Sequence, residues 1–162
     1  MTIAEGDRLP EANLIRMGEG GPEPVTLSSI TAGKTAALFA VPGAFTGVCS
    51  ETHVPSFVRN AAALRAKGVE VIACIAVNDP FVLKAWGEQT GATEAGIAML
   101  ADPDGGYTAA LGMNFDNSAV GFHGRSRRYS MVVEDGIVRR LAVEESPGAC
   151  EVSSGDALLA AL

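Results

Sequence analysis

Apolar positions in the first half of the chain switch between continuous runs and helical spacing. The run 36–41 stops at Pro42-Gly43 and indicates a buried strand. A second run, 69–77, is rich in β-branched residues, which is typical of a parallel strand covered on both faces. Between the two runs, the apolar residues that repeat at helical spacing before Gly68 are Val54, Phe57, Val58, Ala61 and Leu64. Strand, helix and strand in this order predict a βαβ unit.

The second half continues as an α/β pattern. Asp79 and Pro80 suit the cap and first position of a helix that runs to about Gly91. Segment 97–100 reads as a strand, 102–106 as a turn and 107–111 as a short helix. Strands 129–133 and 137–143 flank Asp135-Gly136, a strong hairpin signal.

The two ends of the chain complete the domain. Ser153 and Asp156 resemble a capping box before a last helix, 157–162, and the first 30 residues read as surface strand and loop. We therefore expect one α/β domain over residues 1–162, with a central mixed sheet flanked by helices, a pattern compatible with a thioredoxin-like sheet.

Composition narrows the function classes. The 162 residues are 48% hydrophobic and 19% charged, which excludes extended disorder and fits one domain. A net charge of −7 argues against nucleic acid or an anionic membrane as partner. No apolar window approaches the roughly 18 residues of a membrane span, and the N-terminus has no signal-peptide pattern. Three cysteines without such a signal predict a cytoplasmic protein with reduced thiols. Nucleotide binding is disfavoured because neither glycine-rich phosphate motif follows a strand.

Cys49 is the residue with the strongest chemical prediction. It lies between the carboxyl end of the 36–41 strand and the start of a helix, where open α/β sheets usually bind ligands. The positive end of a helix dipole and its unpaired N–H groups favour a thiolate, which is the nucleophilic form. Thr46 can bring its hydroxyl near the sulfur or a substrate oxygen. The alternative is that Cys49 is only a small buried apolar residue.

The motif around Cys49 resembles a known family. Pro42-x-x-x-Thr46-x-x-Cys49 is similar to the active-site signature of peroxiredoxins. The string over 41–57, Val-Pro-Gly-Ala-Phe-Thr-x-x-Cys-Ser-x-x-His-x-Pro-x-Phe, resembles the type II, peroxiredoxin-5-like branch. Further matches lie at 77–86 and 128–136, so the resemblance covers essentially the whole chain. Gly47 stands where many members have a second proline. Without that proline we expect a looser active-site loop, which would affect the rate of the reaction and not the identification of the family.

The resemblance implies roles for matching residues. Cys49 matches the peroxidatic cysteine that becomes a sulfenic acid. Thr46 matches the residue that hydrogen-bonds the peroxide and the thiolate, and Pro42 the residue that shields the thiolate from water. Arg128 matches the arginine that stabilises the thiolate and the leaving oxygen.

Arg125 and Arg127 are alternatives to Arg128. We choose Arg128 because it directly precedes the apolar strand 129–133, which fixes it better than its loop neighbours.

His53 follows Cys49 by four residues and so shares its helical face. The pair could be half of a metal site or a thiol and base of a cysteine hydrolase. His123 is the only other histidine and no Cys-x-x-Cys is present, so we predict no metal and no cofactor. We expect His53 to serve packing and loop support.

Cys74 and Cys150 differ in setting. Cys74 lies inside the 69–77 run, so we expect a buried, poorly reactive thiol. Cys150 lies in a turn-rich segment, and the resemblance makes it a candidate resolving cysteine near the family's expected position. Recycling by thioredoxin, through a Cys49–Cys150 disulfide, and recycling by glutathione or glutaredoxin, without Cys150, both stay open at this point.

The leading hypothesis is a thiol peroxidase that reduces hydrogen peroxide and organic hydroperoxides in antioxidant defence, and the resemblance implies a homodimer. A non-catalytic redox sensor and a cysteine hydrolase that uses Cys49 and His53 are the alternatives. The hydrolase lacks an evident residue to orient the histidine.

Overall fold

A seven-stranded mixed sheet forms the centre of the computed structural model, which describes residues 2–162. Residue 1 of the predicted domain lies outside the described residues. In chain order the elements are β1 (Asn13–Gly18), β2 (Gly21–Thr26), α1 (Leu27–Thr31), β3 (Thr35–Val41), a π-helix (Cys49–His53), α2 (Val54–Ala66), β4 (Val71–Ala76), α3 (Pro80–Thr90), β5 (Ala98–Ala101), α4 (Gly106–Ala110), β6 (Asn114–Asn117), a 3₁₀ turn (Ser118–Val120), β7 (Phe122–Ser126), β8 (Tyr129–Glu134), β9 (Ile137–Val143) and α5 (Gly155–Ala160).

The strand order explains where the functional loops meet. The sheet runs β2-β1-β5-β4-β3-β8-β9, and β6 pairs with β7 in a separate ribbon. Strands β3, β4 and β5 are parallel, whereas β8 is antiparallel to β3. The carboxyl ends of β3 and β4 and the start of β8 therefore lie at one edge, with Val41 paired to Ala76 and Ala40 to Tyr129.

Two apolar cores cover the two faces of the sheet. On one face, Phe57 of α2, Trp86 of α3 and Leu158 of α5 pack with Phe39 of β3. On the other, residues of α4 and the N-terminal segment pack with the opposite side chains of β3, β4 and β8. Burial on both faces explains why the predicted strand runs are continuously apolar.

Most of the predicted elements are confirmed. The Asp79 carboxylate accepts from Val82 N across 2.8 Å at the start of α3, and Gly91 ends that helix with φ +81°. The hairpin turn has positive φ at Asp135 and Gly136, as a turn between twisted strands requires.

The chain termini differ from the sequence prediction. Residues 13–26 form a hairpin whose first strand extends the main sheet beside β5, rather than surface strand and loop alone. The predicted capping box is wrong: Ser154, not Ser153, caps α5 by accepting from Ala157 N, because the Ser153 hydroxyl donates to Glu144.

Ribbon β6–β7 has no counterpart in the prediction. Within residues 2–162, no helix has the length and apolar content needed to cross a bilayer.

Candidate active site

Cys49 lies at the base of the loop 42–48, which follows β3 at the sheet edge. It is the first residue of the π-helix, and its side chain is 1% exposed. Backbone bonding changes where this helix joins α2, because Pro55 has no N–H to donate to the Glu51 carbonyl. Insertions of π-type bonding in helices are frequent at functional sites.

Arg128 is the charged residue in contact with the Cys49 sulfur. Its Nη2 atom lies 3.1 Å from Sγ, and the same nitrogen and Nε donate to the Pro147 carbonyl at 3.0 and 3.3 Å. The guanidinium is buried. Arg128 reaches this position because it directly precedes β8, whose start pairs with the end of β3. The guanidinium therefore places a positive charge and an N–H donor directly at the buried sulfur.

His53 holds the other side of the Arg128 guanidinium. Arg128 Nη1 lies 2.9 Å from Nδ1, and Nε2 lies 3.0 Å from the Ser153 carbonyl oxygen. An arginine only donates, so Nδ1 accepts and Nε2 carries the ring proton that it donates to Ser153. Burial, with help from the Arg128 charge, lowers the pKa of His53 from 6.5 to about 3, so the ring is neutral. The ring also packs against the stacked pair of Phe39 and Phe57, at centroid distances of 5.1 and 5.7 Å.

These bonds contradict the hydrolase alternative. Neither nitrogen of His53 is free to take a proton from Cys49, because one accepts from Arg128 and the other donates to Ser153. Sequence reasoning missed the bond between His53 and Arg128. The four-residue spacing from Cys49 was the available signal, since it placed His53 on the same buried face.

The three arginines of the segment 125–128 have different partners. Arg125 donates to the Pro42 carbonyl across 3.1 Å and lies over the Phe122 ring, 5.0 Å from its centroid. Arg127 donates to the Glu144 carbonyl at 3.2 Å. Only Arg128 of the three contacts the sulfur. The other two hold neighbouring segments in place, Arg125 at the active-site loop and Arg127 at the end of β9.

The Thr46 hydroxyl donates to the Gly43 carbonyl across 2.7 Å. It does not donate to the Cys49 sulfur, which corrects that part of the sequence expectation. Because its proton is engaged, Thr46 can offer a substrate only its lone pairs. Pro42 is buried next to Gly43 at the start of the same loop.

The active-site loop is fastened to the loop after β4. Ala44 N donates to Asn78 Oδ1 across 3.0 Å. Phe45, next in sequence, has φ +62° and is 50% exposed, while Phe81 in the first turn of α3 is 61% exposed. Positive φ costs a residue with a side chain about 1–2 kcal/mol, and the hydrogen bond from Ala44 to Asn78 helps to offset this cost at Phe45.

The other two cysteines lie in contrasting places, and all three are free thiols. Cys74 is fully buried in β4, and burial raises the pKa of its thiol far above the usual range. Cys150 is half-buried in the segment between β9 and α5, and its pKa is raised mainly by burial.

A cavity of about 190 Å³ lies where this segment meets Arg128, and Phe115, Arg127 and Pro147 also line it. Over residues 2–162, the structure gathers no group of three His, Cys, Asp or Glu side chains that could hold a metal.

Known proteins match the chain over nearly its full length. The Redoxin family model matches residues 4–159. Peroxiredoxin-2E-2, chloroplastic, from Oryza sativa subsp. japonica is 46% identical over 165 aligned residues, which cover 99% of this chain and 73% of the relative. The chain belongs to the peroxiredoxins. Among solved peroxiredoxins, reduced Prx3 of Vibrio vulnificus in complex with H₂O₂ is 46% identical, with a TM-score of 0.92 over 99% of both chains. Peroxiredoxin 5 of Alvinella pompejana is 34% identical, with a TM-score of 0.84 over 98% of this chain and 96% of that one.

Membership confirms the thioredoxin-like α/β fold and the type II, peroxiredoxin-5-like resemblance. This peroxiredoxin is a thiol-dependent peroxidase, an oxidoreductase.

Proposed function

We propose that this peroxiredoxin reduces hydrogen peroxide and small organic hydroperoxides at Cys49. The observation that carries the proposal is the 3.1 Å contact between Arg128 Nη2 and the Cys49 sulfur in a buried site. A cation held there stabilises the thiolate before reaction and the negative charge that develops on the leaving oxygen.

The chemical step is a displacement at oxygen. The Cys49 thiolate attacks one peroxide oxygen, an S–O bond forms and the O–O bond breaks. Cys49 becomes a sulfenic acid, and the leaving hydroxide or alkoxide takes a proton to give water or an alcohol. Arg128 faces the reacting atoms, Thr46 accepts a hydrogen bond from the peroxide, and Pro42 keeps water from the sulfur.

Cys150 is the proposed resolving cysteine. Its thiolate attacks the sulfenic sulfur, which forms a Cys49–Cys150 disulfide and releases the oxygen as water. Two observations support this role: Cys150 is half-buried rather than enclosed, and its segment contacts Arg128 through Pro147 and His53 through Ser153. A dithiol reductant of the thioredoxin type then reduces the disulfide. In the competing route, glutathione attacks the Cys49 sulfenic acid and glutaredoxin or a second glutathione releases the mixed disulfide.

We also propose that the active form is a homodimer in the cytoplasm. The exposed Phe45, in the active-site loop, and Phe81, in the first turn of α3, flank the hydrogen bond between Ala44 and Asn78. Burial of such a pair against a second copy removes apolar surface from water. Three free thiols fit a reducing compartment.

A turnover assay tests the proposed function. The native protein should consume many equivalents of hydrogen peroxide when thioredoxin and its reductase supply electrons, and Cys49→Ser should consume none. Reaction with a single equivalent and no further turnover with either reductant would indicate a redox sensor instead.

The Cys150→Ser variant separates the two recycling routes. Loss of thioredoxin-driven turnover supports the intramolecular disulfide. Unchanged thioredoxin-driven turnover removes Cys150 from the mechanism, and full turnover with glutathione and glutaredoxin assigns the competing route.

A further inference from the structure

Glu144 is a buried carboxylate beside the site that the proposed chemistry does not use. Only 5% of the residue is exposed. Its Oε2 atom accepts from Ser153 Oγ at 2.6 Å, from Ser153 N at 2.7 Å and from Glu151 N at 2.9 Å. A buried carboxylate is costly unless hydrogen bonds compensate it, and three donors converge on this one.

The bonds of Glu144 fix the segment 144–154, which we call the resolving loop. The carboxylate joins the two ends of this loop, since Glu144 opens it and Ser153 lies next to its last residue. The backbone of Glu144 is fixed as well: its N–H donates to the Arg128 carbonyl at 3.0 Å, and its carbonyl accepts from Arg127. Hydrogen bonds therefore fix both ends of the resolving loop, and its first residue is bonded to the backbone of Arg128.

A continuous series of contacts leads from Glu144 to the reacting sulfur. Ser153, held by Glu144, accepts from His53 through its carbonyl, and His53 in turn accepts from Arg128. Pro147, in the middle of the resolving loop, accepts twice more from the same guanidinium. The loop thus supplies one direct partner of Arg128 and the partner of its neighbour His53.

We propose that Glu144 is a positioning residue for peroxide reduction. Its carboxylate holds the resolving loop in the shape that aims Arg128 Nη2 at the Cys49 sulfur. Without it, Ser153 and Pro147 lose their fixed places, and the guanidinium loses the partners that set its orientation. This inference rests on the proposed function, because it takes Cys49 as the reacting thiol.

The test compares two reactions of the same thiol in a Cys150→Ser background. One is the second-order rate of Cys49 oxidation by hydrogen peroxide, which needs Arg128 beside the leaving oxygen. The other is the rate of Cys49 alkylation by iodoacetamide, which has no oxygen leaving group. The ratio of the two rates reports the placement of Arg128, whereas a merely structural role of Glu144 would change the unfolding midpoint and leave the ratio unchanged.

In Glu144→Ala we expect the ratio to fall at least about tenfold, since loss of an oriented donor costs on the order of 10²-fold and the displaced guanidinium stays nearby. Glu144→Gln keeps one acceptor oxygen and should recover part of the ratio. Glu151→Ala is the matched control: it removes an exposed carboxylate from the same loop and leaves its N–H bond to Glu144. Its ratio should equal that of the parent.

An unchanged ratio in folded Glu144→Ala overturns the inference. If that variant does not fold, Ser153→Ala takes its place, because it removes one donor to the carboxylate and keeps both N–H donors. Its ratio should fall about threefold, and an unchanged ratio there also overturns the inference. Failure of the proposed function gives a different result, in which Cys49 of the parent protein does not react with peroxide at all.

Discussion

The Arg128 guanidinium donates to the Cys49 sulfur across 3.1 Å, and both side chains are buried. The two residues are 79 positions apart in the chain and meet because β8 pairs with β3. This contact supplies local positive charge in a chain of net charge −7. The overall acidity therefore says little about the electrostatics of the site.

Arg128→Lys should lower the rate of Cys49 oxidation by hydrogen peroxide by about 10²- to 10³-fold, the usual cost of an oriented donor lost from a developing oxyanion. A lysine ammonium cannot reproduce the guanidinium fork that serves the sulfur, His53 and Pro147 together. Rapid-mixing oxidation of the reduced protein measures the rate. Arg139→Lys, at an exposed ion pair with Glu134, is the control and should keep the parent rate.

His53 should make stability depend on pH below neutrality. Its pKa is lowered from 6.5 to about 3 on folding, so the unfolded chain takes up the proton first. Between these values, stability is lost as the pH falls, at up to about 1.4 kcal/mol per pH unit.

Urea unfolding of the native protein and His53→Gln over this pH range tests the effect. Glutamine offers Arg128 an oxygen and Ser153 an N–H but does not titrate. The stability difference between the two proteins should shrink as the pH falls, because all other titrating groups cancel in it. A constant difference would contradict the assigned role of His53.

Gly47→Ala should stabilise the protein by about 0.4–1 kcal/mol, because alanine has less freedom in the unfolded chain. A Cβ at Gly47 meets open space. Gly43→Ala should stabilise less or not at all: its Cβ would lie 2.5 Å from Arg125 Nη1 and displace the bond to Pro42, and this cost of about 0.5–1.5 kcal/mol offsets the same gain. Unfolding in urea measures both changes, and a Gly43→Ala variant as stable as Gly47→Ala would refute this account of the loop.

Trp86 should report the reaction of Cys49 through its fluorescence. It is the single tryptophan, and its Nε1–H donates across 2.9 Å to the hydroxyl of Ser50, the neighbour of Cys49. A Cys49 that moves into a disulfide moves Ser50 with it. One equivalent of hydrogen peroxide should therefore change the emission of the native protein. The same change in Cys49→Ser would separate the signal from this chemistry.

Local chemistry explains which elements the sequence could predict. The runs at β3 and β4 and the signals at Asp79, Gly91 and Asp135-Gly136 depend on neighbouring residues, so their pattern is visible in the chain. Ribbon β6–β7 is polar and short, with burial on few positions, so no periodicity marks it. Ser153 suited a cap by sequence, but Glu144, nine residues away, takes its hydroxyl instead.

The site residues also divide into those set by nearby sequence and those set by distant contacts. Cys49 could be predicted because its position, at the end of a strand and the start of a helix, is visible in the neighbouring residues. The partners of Arg128 depend on how distant segments meet: His53 is 75 residues away and the Pro147 carbonyl has no sequence signal. The Thr46 bond to Gly43 depends on the backbone path of a loop, which the residue types alone do not define.

The most direct test of the central claim is to identify which sulfur reacts first. Reduced protein is mixed with less than one equivalent of hydrogen peroxide in the presence of a sulfenic-acid trapping reagent, and the modified cysteine is located by peptide mass spectrometry. The account predicts the label on Cys49, with Cys74 unmodified. A first label on Cys74 or Cys150, or a Cys49 that stays reduced while peroxide is consumed, would contradict it.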